Sequence, residues 1–541
     1  MSTRLFTSFA ILVLTAAIGA QTPVRTPTQL VRNDPDWYQQ GMFGNQAQGL
    51  EDFDGDGVPD YAVSAPNYPQ GTFVGRVYIY SGRTGTIIQT FDGTQTSSKF
   101  GHALADVGDV DGDGTRDLAI STPGYDGTAP GANHGRIQVF SGATGLEIWA
   151  LEGSAGGGEL GDSMRAVGPV IGTRSLVATQ KGWSSPTLAG IGRVVGISAI
   201  TGLITGWADG IIGYGGLGQR LAADPGVGGI YAVDGQGRVW SVTPGLGGNG
   251  SVSLEYTSPF GGNVLASIAV LPGPTVGSAR IAVGWQLGDS NGLGNNGVVL
   301  VYPVGSPTPV LQLDGPWSGG FFGQRVARAR DVDGDGVEDI VVLGSGTNLI
   351  EPNLIRVHSQ TGAIIDEARP GAANNSVLTS IGDVTGDGRD EWINAIGTGS
   401  TPTFTCSIYS LGLEATESTG PTGTTWTFTL DGGPLHANAS YIQGYGASGA
   451  APGVVGPAPW PLIPLNPDAL TDLIPSLAGS VFLPNPFGTL DGAGRRTTTL
   501  FLPTATVMAL DATNTDLTTT WIAAGPVGGV AFAGNPVTLD F

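Results

Sequence analysis

The chain has 541 residues, 91 of them glycine and only 13% charged, with a formal net charge of −22. An acidic balance without basic clusters argues against nucleic acid and anionic membrane surfaces as partners. A single cysteine, Cys406, argues against a disulfide framework, and abundant glycine with little charge suits short buried strands joined by tight turns.

Residues 1–20 read as a secretory signal: Arg4, the apolar stretch FAILVLTAA, then a small-residue site at Ile18-Gly19-Ala20. That stretch is short for a membrane span, and no other run approaches the ~20 apolar residues one needs. The expectation is an exported chain, secreted or at the cell surface and without a membrane span, whose mature part begins near Gln21. Residues 21–39 form an N-terminal segment in which Thr28-Gln29-Leu30-Val31-Arg32 is the one alternating stretch.

From 40 to 419 two markers recur together at a period of about 55 residues. One is Phe-Gly or a degenerate partner: Phe43-Gly44, Phe100-Gly101, Leu160-Gly161, Leu217-Gly218, Phe260-Gly261 and Phe322-Gly323. The other opens a strand, as in GRVYIYSGRTG from 75, GRIQVFSGATG from 135 and GRVVGISAITG from 192. Between them stand DFDGDGVPD at 52–60, DVDGDGTRD at 109–117 and DVDGDGVED at 331–339, with aspartates at loop positions 1, 3, 5 and 9. DVTGDGRDE at 383–391 is a weaker fourth copy. Four carboxylates in one short loop repel one another unless a hard cation lies between them, and all-oxygen ligation at that density suits Ca²⁺. Glycines at positions 4 and 6 let the chain turn back, where a Cβ would obstruct it. Position 12 is Val63, Ile120 or Val342 inside an apolar run, so the loop joins two strands and is not an EF-hand.

Each unit reads strand, acidic loop, strand, long loop, strand, tight turn, strand. Seven such units over 40–419 point to an all-β, seven-bladed β-propeller. Thr28–Arg32 is expected to close the last blade beside 403–410, with Leu413–Thr419 as the competing strand. Residues 420–541 lose the markers and read as a small β-sandwich-like C-terminal module, with TTWTFTL, TTTLFLP and LTTTWIA as strands.

On these motifs the chain resembles the FG-GAP repeats of the integrin alpha-subunit N-terminal propeller. The likeness is close in units one, two and six, where Phe-Gly, acidic loop and a Gly-Ala-Pro-like turn (Ser64-Ala65-Pro66, Ser121-Thr122-Pro123, Leu343-Gly344-Ser345) follow in order. The resemblance implies metal on Asp52, Asp54, Asp56 and Asp60, on Asp109, Asp111, Asp113 and Asp117, and on Asp331, Asp333, Asp335 and Asp339. Val58, Thr115 and Val337 would add carbonyl oxygens, and the fourth copy would use Asp383, Asp387 and Glu391. That makes three calcium sites with a fourth possible, and none in units three to five.

The resemblance also places a ligand surface on the loops between second and third strands, opposite the calcium loops. There Tyr68, Tyr125, Trp183 and Trp285 recur, and amphipathic aromatics suit glycan or protein recognition; covering the neighbouring blade is the bland alternative. Arg76, Arg136, Arg193 and Arg238 each start a strand and are expected to tie blade to blade. No zinc motif joins the four histidines, no G-x-S-x-G elbow is present, and the G-x-G-x-x-G matches open no helix. The expected function is therefore a recognition or adhesion scaffold with structural calcium. The alternative is a hydrolase on polysaccharide or phosphoester, with its site in the channel or the C-terminal module.

Overall fold

The computed structural model describes residues 30–33, 42–69, 71–82, 86–128, 131–154, 156–167, 175–211, 216–223, 229–260, 266–272, 278–329, 337–345, 354–368, 374–382, 391–397, 404–409, 413–420, 423–431, 440–446, 454–455, 462–463, 487–489, 495–503, 517–524, 530–533 and 537–539. The secretory-signal region lies outside them. Within them the structure is all-β, and no helix is long and apolar enough to cross a membrane.

Strand β1 (Leu30–Asn33) comes first, and four-stranded units follow in chain order. Unit one holds β2 (Ala47–Gly49), β3 (Tyr61–Ala65), β4 (Arg76–Tyr80) and β5 (Ile87–Asp92). Unit two holds β6 (Leu104–Gly108), β7 (Asp117–Thr122), β8 (Arg136–Phe140) and β9 (Glu147–Glu152). Unit three holds β10 (Leu160–Val167), β11 (Ser175–Gln180), β12 (Arg193–Ser198) and β13 (Ile204–Asp209). Unit four holds β14 (Arg220–Ala223), β15 (Ile230–Val233), β16 (Val239–Gly245) and β17 (Gly248–Tyr256), joined to unit three by one parallel bridge, Trp207 to Asn249. Unit five holds β18 (Ala266–Leu271), β19 (Arg280–Trp285), β20 (Val298–Pro303) and β21 (Leu311–Asp314). Unit six holds β22 (Arg325–Ala329), β23 (Asp339–Gly344), β24 (Leu354–His358) and β25 (Ile364–Ala368). Unit seven holds β26 (Asn374–Gly382), β27 (Glu391–Gly397) and β28 (Phe404–Tyr409).

Its fourth strand is β1, antiparallel to β28 with Leu30 opposite Ile408 and Asn33 opposite Thr405. The competing strand Leu413–Gly420 pairs instead with Gly423–Asp431. The sheet beyond the ring thus starts at Leu413 rather than near 420. Gly423–Asp431 also pairs with Arg495–Pro503, while a second sheet joins Ser440–Gly446, Phe487–Thr489 and Leu517–Ala524. A hydrogen bond from Thr498 to the buried Gln443 links these two sheets.

The first strands close a ring: β2, β6, β10, β14, β18, β22 and β26 touch in that cyclic order, and β26 returns to β2. A central cavity of about 420 Å³ takes one lining residue or more from each, including Gln48, Ala105, Arg165, Ala222, Ile268, Val326 and Leu378. This is a β-propeller. Apolar clusters fill the joints, as with Phe91, Phe100 and Leu118 between units one and two and Tyr78, Ile381 and Ile393 between units one and seven. Second strands are packed on both faces, so YAVSA and DIVVLG are buried throughout, whereas the outer β5 and β9 are largely exposed.

The two sequence markers meet at these joints. Gly75 opens the run into β4 with φ +97, and a Cβ there would stand 2.1 Å from the Phe100 carbonyl oxygen of the next unit. Gly135 sits equally close to Leu160, and Gly297 to Phe322, at 2.2 and 2.0 Å. The Phe100 amide donates back to Val74 at 3.0 Å, and Gly101 donates to Ser121 in its own second strand at 3.0 Å. Leu217-Gly218 and Phe322-Gly323 repeat this, each held by the segment that leads into the preceding unit's third strand and by its own second strand, so the markers travel together.

Two predictions follow from this packing. Gly135→Ala forces backbone apart, whereas Gly131→Ala (φ +77, with open space) meets only the left-handed backbone penalty. The second should cost about 1–2 kcal/mol and the first clearly more, read from denaturant midpoints; equal costs would contradict the joint. Deleting 21–33 bares the edge of β28 and should lower the melting midpoint, and an unchanged midpoint would show that β1 contributes nothing to closure.

Candidate functional site

The acidic loops at 52–60 and 109–117 lie between the first and second strands of units one and two. In the first, Asp52, Asp54 and Asp56 bring carboxylate oxygens within 4.8 Å of one another; in the second, Asp109, Asp111 and Asp117 do so. Asp52 Oδ1 accepts from the Gly55 and Asp56 amides at 2.8 and 2.9 Å, and Oδ2 from Gly57 at 2.8 Å. Asp109 repeats this with Gly112, Asp113 and Gly114. The turn is thus wound around the position-1 carboxylate. Gly55, Gly57, Gly112 and Gly114 all have φ between 80 and 93, yet a Cβ at any of them meets nothing within 4 Å. The expected obstruction by a Cβ is therefore corrected: left-handed backbone, not crowding, calls for glycine here.

Position 9 behaves differently from the other three. Asp60 is fully buried, and its carboxylate accepts from the amides of Phe53 (2.7 Å), Asp54 (3.1 Å) and Gly82 (2.8 Å). Asp117, also fully buried, accepts from Val110 at 2.7 Å and Gly142 at 3.0 Å. Each anchors its loop to the turn after the third strand. Burial pushes Asp60 up to about 6 despite the Gly82 and Phe53 hydrogen bonds, and it pushes Asp117 upward too. A buried carboxylate beside clustered carboxylates lacks a countercharge, and a hard divalent cation is the species that supplies one. The donor set fits calcium. In the second loop Asp113 Oδ2 also accepts from Ser141 Oγ at 3.1 Å, and Arg116 ties the loop to Asp106 and to Glu51 of unit one, at 2.7 and 2.8 Å.

Asp331, Asp333 and Asp335, like Asp383 and Asp387, lie outside the described residues. Asp339 and Glu391 are described, fully buried, and begin β23 and β27. Val58 is buried, and Thr115 and Val337 are half-buried. The position-9 carboxylate is therefore sunk at the start of the second strand in all four units.

The aromatic face is only partly as expected. Tyr68, Tyr125 and Trp183 stand three residues after the second strand, where the opening glycines of the third donate back to them at 2.6, 3.0 and 3.1 Å. In unit five that acceptor is Gly288. Trp285 is the last residue of β19, paired with Ala266 and Val298, fully buried against Phe260 and Tyr302. It presents nothing to a ligand and leaves the candidate set. The remaining three are half-buried beneath arginines: Arg76 lies 4.3 Å over Tyr68, Arg136 5.2 Å over Tyr125 and Arg193 3.7 Å over Trp183.

Those arginines tie strands within one unit, not blade to blade. Arg76 pairs with Asp92 at 2.5 Å, Arg193 with Asp209 at 2.5 Å and Arg136 with Glu147 at 3.1 Å, each on the fourth strand. The Asp92 hydrogen bond holds Arg76 above its usual range. Arg238 pairs with Asp234 in the hairpin before β16, and Trp240 Nε1 donates to the same carboxylate at 3.0 Å. Sequence reading missed these ion pairs, although each acid lies on the strand beside its arginine or in the preceding hairpin.

His102 lies 3.5 Å from Asp162, His134 Nδ1 is 2.9 Å from the Asp126 carbonyl, and His358 Nδ1 is 3.2 Å from the Gly362 carbonyl.

Comparison with known proteins agrees with the repeat geometry. Residues 52–120 match the FG-GAP-like repeat and residues 102–140 the FG-GAP repeat. Integrin alpha-4 of Xenopus laevis is 40% identical over 85 residues, 14% of this chain and 8% of that protein. Integrin alpha-PS2 of Drosophila melanogaster is 34% identical over 117 residues, 19% of this chain and 8% of that protein. Phosphatidylinositol-glycan-specific phospholipase D of Rattus norvegicus is 41% identical over 90 residues, 15% of this chain and 10% of that protein. The chain thus spans about a tenth of these relatives' length. The solved structure of U3-55K superposes with a TM-score of 0.45 at 10% identity, over 71% of this chain and 100% of that one, and the propeller assignment does not rest on it. The protein is a β-propeller, and its residues 52–140 are similar to FG-GAP repeats and, in part, to integrin alpha subunits.

The split within the loops is measurable. Without calcium, Asp60→Ala leaves three amides without their acceptor, and such a loss costs about 1–3 kcal/mol per buried group. Asp54→Ala, at an exposed position, should cost far less. Equal denaturant midpoints for the two variants in chelator would contradict the anchor role of Asp60.

Proposed function

We propose that this chain is an exported, calcium-binding β-propeller that serves as a recognition or adhesion scaffold for a glycan or protein ligand. Calcium would sit on the aspartates of the first two acidic loops, on Asp331, Asp333, Asp335 and Asp339, and in a fourth site on Asp383, Asp387 and Glu391. Bound there, the ion neutralises clustered carboxylates and stiffens the hairpin between first and second strands. Its role is structural. The observation that carries this reading is the pairing of converged carboxylates with a buried position-9 anchor, in loops that match FG-GAP repeats.

Recognition is supported by the likeness to integrin alpha subunits and by the loops at the mouth opposite the acidic loops, where Tyr68, Tyr125 and Trp183 keep part of their surface accessible. The match to a phospholipase D covers 10% of that enzyme. It carries over a repeat and no chemistry, so the hydrolase reading gains no support from it.

Chelation tests the calcium assignment. A ligand held at 100 times its Kd stabilises by ~2.7 kcal/mol per site, so chelator should lower the melting midpoint. Asp54→Ala and Asp111→Ala should each remove one bound calcium. An unchanged midpoint with unchanged stoichiometry would contradict the assignment. Screening the mature chain on a glycan array, with and without calcium, addresses the ligand.

A further inference from the structure

The first two acidic loops touch across the joint between their units. Phe53, at position 2 of the first loop, is buried in the cluster that also holds Leu50, Phe91, Phe100 and Leu118. Its ring lies against the backbone of Gly142, where a Cβ would stand 2.9 Å from the ring edge and 2.9 Å from the Thr115 methyl group. Gly142 is the residue that closes the second loop, because its amide donates to buried Asp117 at 3.0 Å. The Phe53 amide is in turn held by Asp60, the buried anchor of its own loop, at 2.7 Å. One chain of contacts therefore runs from anchor to anchor, from Asp60 through Phe53 and Gly142 to Asp117.

A charged contact runs beside it. Arg116, at position 8 of the second loop, pairs with Asp106 of its own unit at 2.7 Å and reaches Glu51, immediately before the first loop, at 2.8 Å. The inner pair belongs to the repeat. In unit six the equivalent positions hold Glu338 and Arg328, the same pair with its charges exchanged, at 3.5 Å. The arm to Glu51 is added at the joint between units one and two. Glu51 is exposed, and an exposed ion pair alone contributes little, so the buried ring is the stronger link. On its other side the first loop meets unit seven through Pro59 beside Gly382, a contact without charge.

We propose that Phe53 and Arg116 join the first two loops into one cooperative calcium unit, in which an ion in either loop raises the affinity of the other. This coupling rests on the calcium reading above and goes beyond it. Its physical cause is ordering. An ion that draws Asp52, Asp54 and Asp56 together fixes the backbone on both sides of Phe53. The seated ring then holds the Gly142 turn over Asp117, and the second ion meets a loop that is already ordered. Repulsion between the two dications opposes this, and physiological salt screens it between exposed loops. Linkage makes the effect reciprocal.

Calcium titration by calorimetry at physiological ionic strength tests the coupling on the mature chain carrying Asp333→Ala and Asp387→Ala, which confine binding to the first two loops. Adding Asp111→Ala gives the constant of the first loop alone, and adding Asp54→Ala gives that of the second. Both substitutions fall at exposed positions. The two-ion constant should exceed the product of these single-loop constants at least about fivefold. Phe53→Leu with Glu51→Gln, which spares the pair of Arg116 with Asp106, should abolish that excess while both loops still bind. A two-ion constant no larger than the product, or an excess unchanged by the double variant, would overturn the cooperative unit and leave calcium binding itself intact. Absence of calcium from both loops would overturn the two readings together.

Discussion

Consecutive units approach backbone to backbone at a glycine, and the ring depends on that contact. At Gly75, Gly135 and Gly297 a single methyl group would fall within about 2 Å of the next unit's main chain. Amides of Phe100, Leu160 and Phe322 donate across the same joint at 3.0 to 3.1 Å. The buried aromatic ring of each Phe-Gly then plugs the wedge between two sheets, as Phe100 does beside Phe91 and Leu118. Closure by β1 completes the arrangement, because otherwise β28 would end the seventh sheet as an open edge.

This constraint explains why so much of the fold was legible. A joint that needs a large apolar residue, a glycine and a second glycine from the preceding unit writes nearly the same letters in most units, even in three and four, where leucine replaces the aromatic and no acidic loop is present. The closing strand was legible for another reason: Leu30–Arg32 was the one alternating stretch ahead of the first joint. The boundary at 420 was misplaced because Leu413–Gly420 alternates as a ring strand would. Only its pairing with Gly423–Asp431 distinguishes the two.

At the sites, composition told less than position. The carboxylate pattern announced a cation loop, but it could not separate the buried anchor at position 9 from the exposed groups at 3 and 5. That difference comes from the turn at Gly82 or Gly142 closing over the loop. Trp285 was misread because a three-residue shift along unit five moves an aromatic from the rim into the joint, and residue type does not reveal the shift.

The central claim is that the acidic loops of this propeller hold calcium as part of its folded structure. Native mass spectrometry of the mature chain, exchanged into a calcium-containing volatile buffer and then into chelator, counts the ions directly. The account predicts three or four calcium ions per folded chain, with Asp60→Ala and Asp117→Ala each one fewer. A folded wild-type chain carrying no calcium above the adventitious level of a non-binding control protein would contradict it.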